Sequence, residues 1–215
     1  MQYDLVIFDN DGVLVDSEPI SNRILAAHLT ELGHPTSYED SIRDFMGGAA
    51  HRIHDVVRER SGQTLPEGFD EAYQRRVFAA FERELRPVAG VATVLDKLAA
   101  DEVPYCLASS GTHARIRVAL RTTGLYDRFG EGRIFSSQDV GRGKPAPDLF
   151  LHAAATMGVP PARCAVVEDS PLGVAAARAA GMDVFGFTAM TPAARLDGAT
   201  ALFGAMAELP DLLLR

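Results

Sequence analysis

Residues 3–19 read YDLVIFDNDGVLVDSEP. The first six, YDLVIF, are a short apolar run that halts at Asp9-Asn10-Asp11-Gly12, the pattern of a buried strand feeding a tight turn. Such a strand needs partners, and strand-like runs return only beyond Pro87. There the chain alternates. Helices are predicted over 91–100, 112–123, 147–157 and 171–180, with a last one over 205–214. Strands are predicted over 103–108, 132–136, 163–167 and 182–187, with a weaker one near 200–203. Repeated βα units imply an α/β fold, a doubly wound, Rossmann-like parallel sheet with helices on both faces.

The block from 17 to 86 has a different rhythm. Ile20, Ile24, Leu25, His28, Leu29 and Leu32 recur at helical spacing before Gly33, and Tyr73, Val77, Phe78, Phe81 and Leu85 repeat the pattern. Two shorter helical candidates, about 37–45 and 49–61, flank Met46-Gly47-Gly48. Because the first strand must pair with the later ones, this all-helical block is expected to be an insertion. Residues 1–16 and 87–215 then form the α/β core and 17–86 a helical cap.

Composition narrows the function classes. The chain has 215 residues, 47% of them hydrophobic, with 21 Lys plus Arg against 29 Asp plus Glu for a net charge of −8. An acidic balance argues against nucleic acid and anionic membrane as partners, and no apolar run has the length of a membrane span. The first residues carry Asp4 and Asp9 and no basic region, so no signal peptide is expected. Cys106 and Cys164 lie far apart in apolar stretches and read as reduced core thiols of a cytoplasmic protein. Nothing calls for more than a monomer. Only two lysines occur, Lys97 and Lys144.

In an open α/β sheet ligands gather at the carboxyl ends of the strands. The residues expected there are Asp9-Asn10-Asp11-Gly12, Ser109-Ser110-Gly111, Glu168-Asp169-Ser170 and the loop around Lys144. Asp9 and Asp11 can close a polar turn, or divide labour as nucleophile and general acid–base. Asp169 or Ser170 can simply cap the next helix. If all four acids converge, their repulsion calls for a hard divalent cation, most simply Mg²⁺. Ser109 and Ser110 stand where a strand end and helix start can bind phosphate oxygens, or as an ordinary cap. Lys144, in GRGKPAPDLF, is either a solvated loop residue or a compact cation beside a carboxylate and a phosphoryl group.

Taken together, FDNDGVLVDSEP, ASSG, GKPAPDLF and VVEDSPLGVAAARAAGM, in that order and each at a strand end, resemble the haloacid dehalogenase-like superfamily, in its branch with a helical cap after the first motif. The resemblance covers the whole chain and implies roles. Asp9 would be the nucleophile that forms an aspartyl-phosphate. Asp11 would protonate the leaving oxygen and then deprotonate the attacking water. Ser109, with the backbone N–H of Ser110, would hold the phosphoryl group, and Lys144 would offset its charge and that of Asp9. Mg²⁺ would be bound by Asp169, the Asp9 carboxylate and the Asp11 carbonyl, with Glu168 directly or through water. Gly47 would approach the site in the cap turn, and His51, Arg52 and Arg23 are candidate substrate contacts.

The expected activity is a Mg²⁺-dependent phosphatase acting on a small phosphorylated metabolite, a sugar phosphate or sugar-acid phosphate. A phosphosugar mutase is the alternative, and a non-catalytic binding module a lower one. Dehalogenases do not need the second acid, so Asp11 favours phosphoryl transfer. A phosphonatase of this family needs a cap lysine, and 17–86 contains none. The mutase pattern places a His where this chain has Ser21, and an Arg three residues after the cap-turn glycine, where it has Ala50.

Overall fold

The computed structural model describes residues 2–46 and 51–214, with the side chain of His51 excepted. Strand β1 (Leu5–Phe8) sits inside one six-stranded sheet with β2 (Tyr105–Ser109), β3 (Ile134–Ser136), β4 (Cys164–Glu168), β5 (Asp183–Phe187) and β6 (Ala201–Phe203). The order is β3-β2-β1-β4-β5-β6, and every pair is parallel. All four residues of β1 are buried, because both faces of the sheet are covered. Val6 and Phe8 pack on one face with α5 (Val91–Ala100), α6 (His113–Thr122) and α10 (Leu209–Leu213). Leu5 and Ile7 pack on the other with α8 (Asp148–Thr156) and α9 (Pro171–Ala179). The fold is the doubly wound α/β arrangement that the βα alternation implies.

Between β1 and α5 the described residues form four helices: α1 (Glu18–Glu31), α2 (Tyr38–Phe45), α3 (His51–Ser61) and α4 (Phe69–Glu84). They share a core of their own, with Leu25 and Leu29 packed on Phe45, Ile53, Val57 and Phe69. The α2 start is a capping box, in which Ser37 Oγ accepts from the Asp40 N–H and the Asp40 carboxylate accepts from the Ser37 N–H. The chain enters and leaves this unit side by side. The Asp16 N–H donates to the Arg86 carbonyl and the Val88 N–H to the Leu14 carbonyl.

Three details differ from the sequence reading. The strand predicted from residue 3 begins at Leu5, since pairing starts with Leu5 opposite Cys164; Tyr3 is buried just outside the ladder, its hydroxyl donating to Asp183 Oδ2 at 2.8 Å. A one-turn helix, α7 (Tyr126–Phe129), lies between the helix predicted over 112–123 and the strand predicted over 132–136. The last predicted helix splits into a 3-10 turn at Met206–Glu208 and α10, where Pro210 occupies the first turn. Cys106 and Cys164 are free and buried, and burial pushes the Cys164 thiol up to about 11.

Candidate active site

The sheet order reverses direction between β1 and β4, and the crevice above that point is where an open α/β sheet binds ligands. Asp9 follows β1 directly. Ser109 closes β2, Glu168 closes β4, and Asp169 comes next. These residues, with Asp11, Ser110, Gly111 and Lys144, line one side of a cavity of about 370 Å³. Its opposite wall comes from the inserted helices: Glu18, Asn22 and Leu25 of α1, Phe45 of α2, Ile53 of α3, and Asp70, Tyr73 and Gln74 of α4. That volume suits a small organic ligand.

Two glycines make the carboxylate cluster sterically feasible. Gly12 has φ +80°, and a Cβ there would lie 2.0 Å from Asp169 Oδ2. A Cβ at Gly173, in the first turn of α9, would fall 1.8 Å from the Glu168 carboxyl. Each glycine therefore yields its side-chain volume to an acid at the carboxyl end of β4.

Lys144 is the electrostatic hub, with its side chain only 4% exposed. Its ammonium donates to Asp9 Oδ1 at 2.5 Å, Glu168 Oε1 at 2.6 Å and the Ala108 carbonyl at 3.1 Å. Burial acts to lower its proton affinity, but Asp9 and Glu168 outweigh it and keep it firmly charged. The other Glu168 oxygen accepts from the backbone N–H and hydroxyl of Ser170. Both carboxylate oxygens of Glu168 are thus engaged within the protein.

One cation does not balance three acids. Burial, opposed by Lys144 and reinforced by Glu168 and Asp11, pushes Asp9 up to about 7. Burial and the charges of Glu168 and Asp9 raise Asp169 well above the ordinary carboxylate range. A hard divalent cation relieves this excess negative charge, and the donors are the oxygen type it takes. Among the described residues no three His, Cys, Asp or Glu side chains close on a common point to cage a metal. Mg²⁺ is one such cation: it uses one or two carboxylates and keeps other positions for water or phosphate oxygens.

Asp11 is held differently. Its Oδ1 accepts from Ser17 Oγ at 2.6 Å and from Arg115 Nη2 at 2.6 Å and Nε at 3.2 Å, and its Oδ2 accepts from Asn10 Nδ2 at 3.1 Å. Burial acts to raise it, but the Arg115 charge and these hydrogen bonds prevail and hold it below the usual carboxylate range. Ser109 is buried, and its Oγ accepts from the Gly111 N–H at 3.0 Å. The hydroxyl hydrogen remains available to an anion in the cavity.

The candidate contacts of the helical unit fare unequally. Gly47 and the His51 side chain lie outside the described residues. Arg52 is exposed, donates to the Asp44 carbonyl at 2.8 Å, and is not among the cavity-lining residues. Arg23 pairs with Glu84 at 2.6 Å on the surface. Sequence reasoning missed Arg115, although a signal existed. It stands in the first turn of α6, where the helix dipole disfavours a cation, and the facing acid, Asp11, compensates it.

The sequence pattern of a family described as haloacid dehalogenase-like hydrolase matches residues 3–181. A 6-phosphogluconate phosphatase of Escherichia coli is 34% identical over 86% of this chain and 82% of its own length. A beta-phosphoglucomutase of Bacillus subtilis is 30% identical over 84% of this chain and 81% of its own. Among solved structures, a hydrolase from Deinococcus radiodurans with bound phosphate and sodium is 33% identical and superposes with a TM-score of 0.81, covering 99% of this chain and 95% of that one.

Proposed function

Since the chain belongs to the haloacid dehalogenase-like hydrolases, we propose that it is a Mg²⁺-dependent phosphatase of a small phosphorylated metabolite, a sugar phosphate or sugar-acid phosphate, working through an aspartyl-phosphate. The observation that carries this reading is the meeting of Asp9, Asp11, Ser109, Lys144 and Asp169 at the floor of one cavity. Its far wall carries Asp70 and Gln74, groups that accept or donate hydrogen bonds to sugar hydroxyls, while the Asn22 amide is spent on Glu18 and Ser41.

In this account Asp9 attacks phosphorus while Ser109 and the N–H of Ser110 hold the phosphoryl oxygens. The negative charge of the bound phosphoryl group raises the proton affinity of Asp11 against the Arg115 charge that lowers it, so that Asp11 enters the step protonated. The bond to the ester oxygen breaks, and Asp11 supplies the proton that oxygen needs. Asp11, now a carboxylate, takes a proton from water as the water attacks the same phosphorus. Inorganic phosphate leaves and Asp9 is regenerated. Lys144 opposes the rise in Asp9's proton affinity, favouring its ionised form, and offsets the charge of the incoming phosphoryl group. Asp9, Asp169 and the Asp11 carbonyl would hold Mg²⁺, which supplies charge neutralisation between a carboxylate and a phosphate. The helical unit, residues 17–86, acts as the cap that excludes water and selects substrate.

The test is inorganic phosphate release from a panel of phosphorylated sugars, sugar acids, polyols and nucleotides. Multiple turnovers on at least one of them are expected, and EDTA removes the activity. No release from any member, with Mg²⁺ present, contradicts the proposal.

The metal assignment has a readout apart from turnover. A carboxyl whose folded-state proton affinity is raised stabilises the fold fully below the ordinary carboxylate range and loses that contribution as pH rises through the raised value, about 7 for Asp9. Mg²⁺ replaces those protons. Its stabilisation should therefore be larger at about pH 8 than at about pH 5.5. Asp169→Asn should raise the melting temperature of the metal-free protein at the higher pH and erase the Mg²⁺ increment. Differential scanning calorimetry decides; an equal Mg²⁺ increment at both pH values, or one that survives in the variant, removes Asp169 from the metal site.

A mutase must hold a second phosphate while its intermediate reorients. At Ser21, where the mutase pattern has His, the side chain accepts instead from Arg115 Nη2 at 3.0 Å. Ala50 lies outside the described residues, but its methyl group carries no charge. We expect β-glucose 1-phosphate with a bisphosphate primer to give negligible glucose 6-phosphate by coupled dehydrogenase assay. Efficient isomerisation with little phosphate release would reverse the choice.

A further inference from the structure

Arg115 joins three parts of the molecule. It stands on α6 of the core, and its guanidinium donates twice to Asp11 Oδ1 and once to Ser21 Oγ of α1. Its Cζ lies 4.9 Å from the centre of the Phe81 ring of α4. The side chain is 18% exposed and borders the cavity. With Ser17 Oγ included, Asp11 Oδ1 accepts three hydrogen bonds, which fills its lone-pair capacity. Oδ2 accepts only from Asn10, at 3.1 Å, among the described residues.

We propose that Arg115 is a positioning residue for phosphoryl transfer: by saturating Asp11 Oδ1 it fixes the carboxyl plane and leaves Oδ2 as the oxygen that passes the proton to the leaving group and takes one from water. The inference rests on the phosphatase reading. A cation confined to Oδ1 orients the acid without occupying the oxygen that does the work. Loss of Arg115 frees the carboxyl to rotate, with Ser17 and Asn10 alone to restrain it. The same guanidinium ties α1 and α4 to the core.

The experiment compares two esters. One is the best-hydrolysed sugar phosphate of the panel, whose alkoxide needs a proton to leave. The other is p-nitrophenyl phosphate, whose phenolate leaves without one. In Arg115→Ala, the single-turnover rate of Asp9 phosphorylation should fall about 10²-fold with the sugar phosphate and less than about threefold with the aryl phosphate, whose p-nitrophenolate then appears as a burst ahead of the slowed hydrolysis of the shared aspartyl-phosphate. Added guanidinium should restore part of the sugar-phosphate rate. Arg115→Lys, which retains a cation but not the paired donors, should show the same leaving-group dependence to a lesser degree. Equal losses on both esters, or failure of both variants to fold, make Arg115 a structural pin only and overturn the proposal. A wild-type chain that hydrolyses neither ester overturns the phosphatase reading, and this inference with it.

Discussion

Asp9→Asn should abolish phosphate release while the protein remains folded. The amide matches the carboxyl in size and its oxygen can still accept from Lys144, so packing at the end of β1 is preserved. What is lost is the nucleophile: an amide oxygen does not form the acyl phosphate. Removing a residue that forms the covalent intermediate is expected to lower kcat by about 10⁵-fold or more. Stability should not fall. Asp9 is driven up to about 7 mainly by burial and by the Glu168 and Asp11 charges, so the folded site holds its neutral form more readily than the unfolded chain does. Steady-state phosphate assays with thermal melts check both halves. Activity within a hundredfold of wild type would take the nucleophile role from Asp9.

Lys144→Met should be the most damaging change to stability in the site. The methionine fills the lysine stem but leaves Glu168, 1% exposed, and Asp9 without their shared cation. Removing one partner of a buried ion pair costs about 3–5 kcal/mol because the remaining charge stays buried and uncompensated. In a chain of this size that corresponds to a melting temperature lower by roughly 10 °C. Ser170 still donates to Glu168, but to the oxygen that does not face Lys144. Glu168→Gln in the same chain should recover part of the loss by removing the second stranded charge, a non-additivity a double-mutant cycle reads directly. Turnover in Lys144→Met should drop at least about 10²-fold, the scale for a lost charge-stabilising group. A variant as stable as wild type would refute the hub role.

The path from sequence to site was legible where chemistry and periodicity coincide. LVIF alternates between the two packed faces, and the polar residues that interrupt each apolar run stand at strand ends, so β1, β2 and β4 delivered Asp9, Ser109 and Glu168 to one edge. Lys144 stood out by rarity, as one of two lysines. The partnership of each acid was not legible. Glu168 was expected near the metal, and the structure turns one of its oxygens to Lys144 and the other to Ser170. Arg115 was hidden because 19 arginines crowd the sequence and most of those with partners here serve exposed surface pairs. Beyond its place in the first turn of α6, the packing of α6 on α4 and the reach of the guanidinium to Ser21 of α1 separate it from them. Arg52 and Arg23 were named as basic residues within the helical unit, a criterion blind to which face of a helix looks inward.

The central claim is a phosphorylated Asp9. Rapid acid quench of the wild-type protein turning over its best substrate with Mg²⁺, followed by borohydride reduction and peptide mass spectrometry, tests it most directly. The account predicts that the peptide spanning Asp9 carries homoserine at that position, the reduction product of an acyl phosphate, and that the signal vanishes without substrate and when Mg²⁺ is removed. An unmodified Asp9 during demonstrated turnover, or the label on another residue, would contradict it.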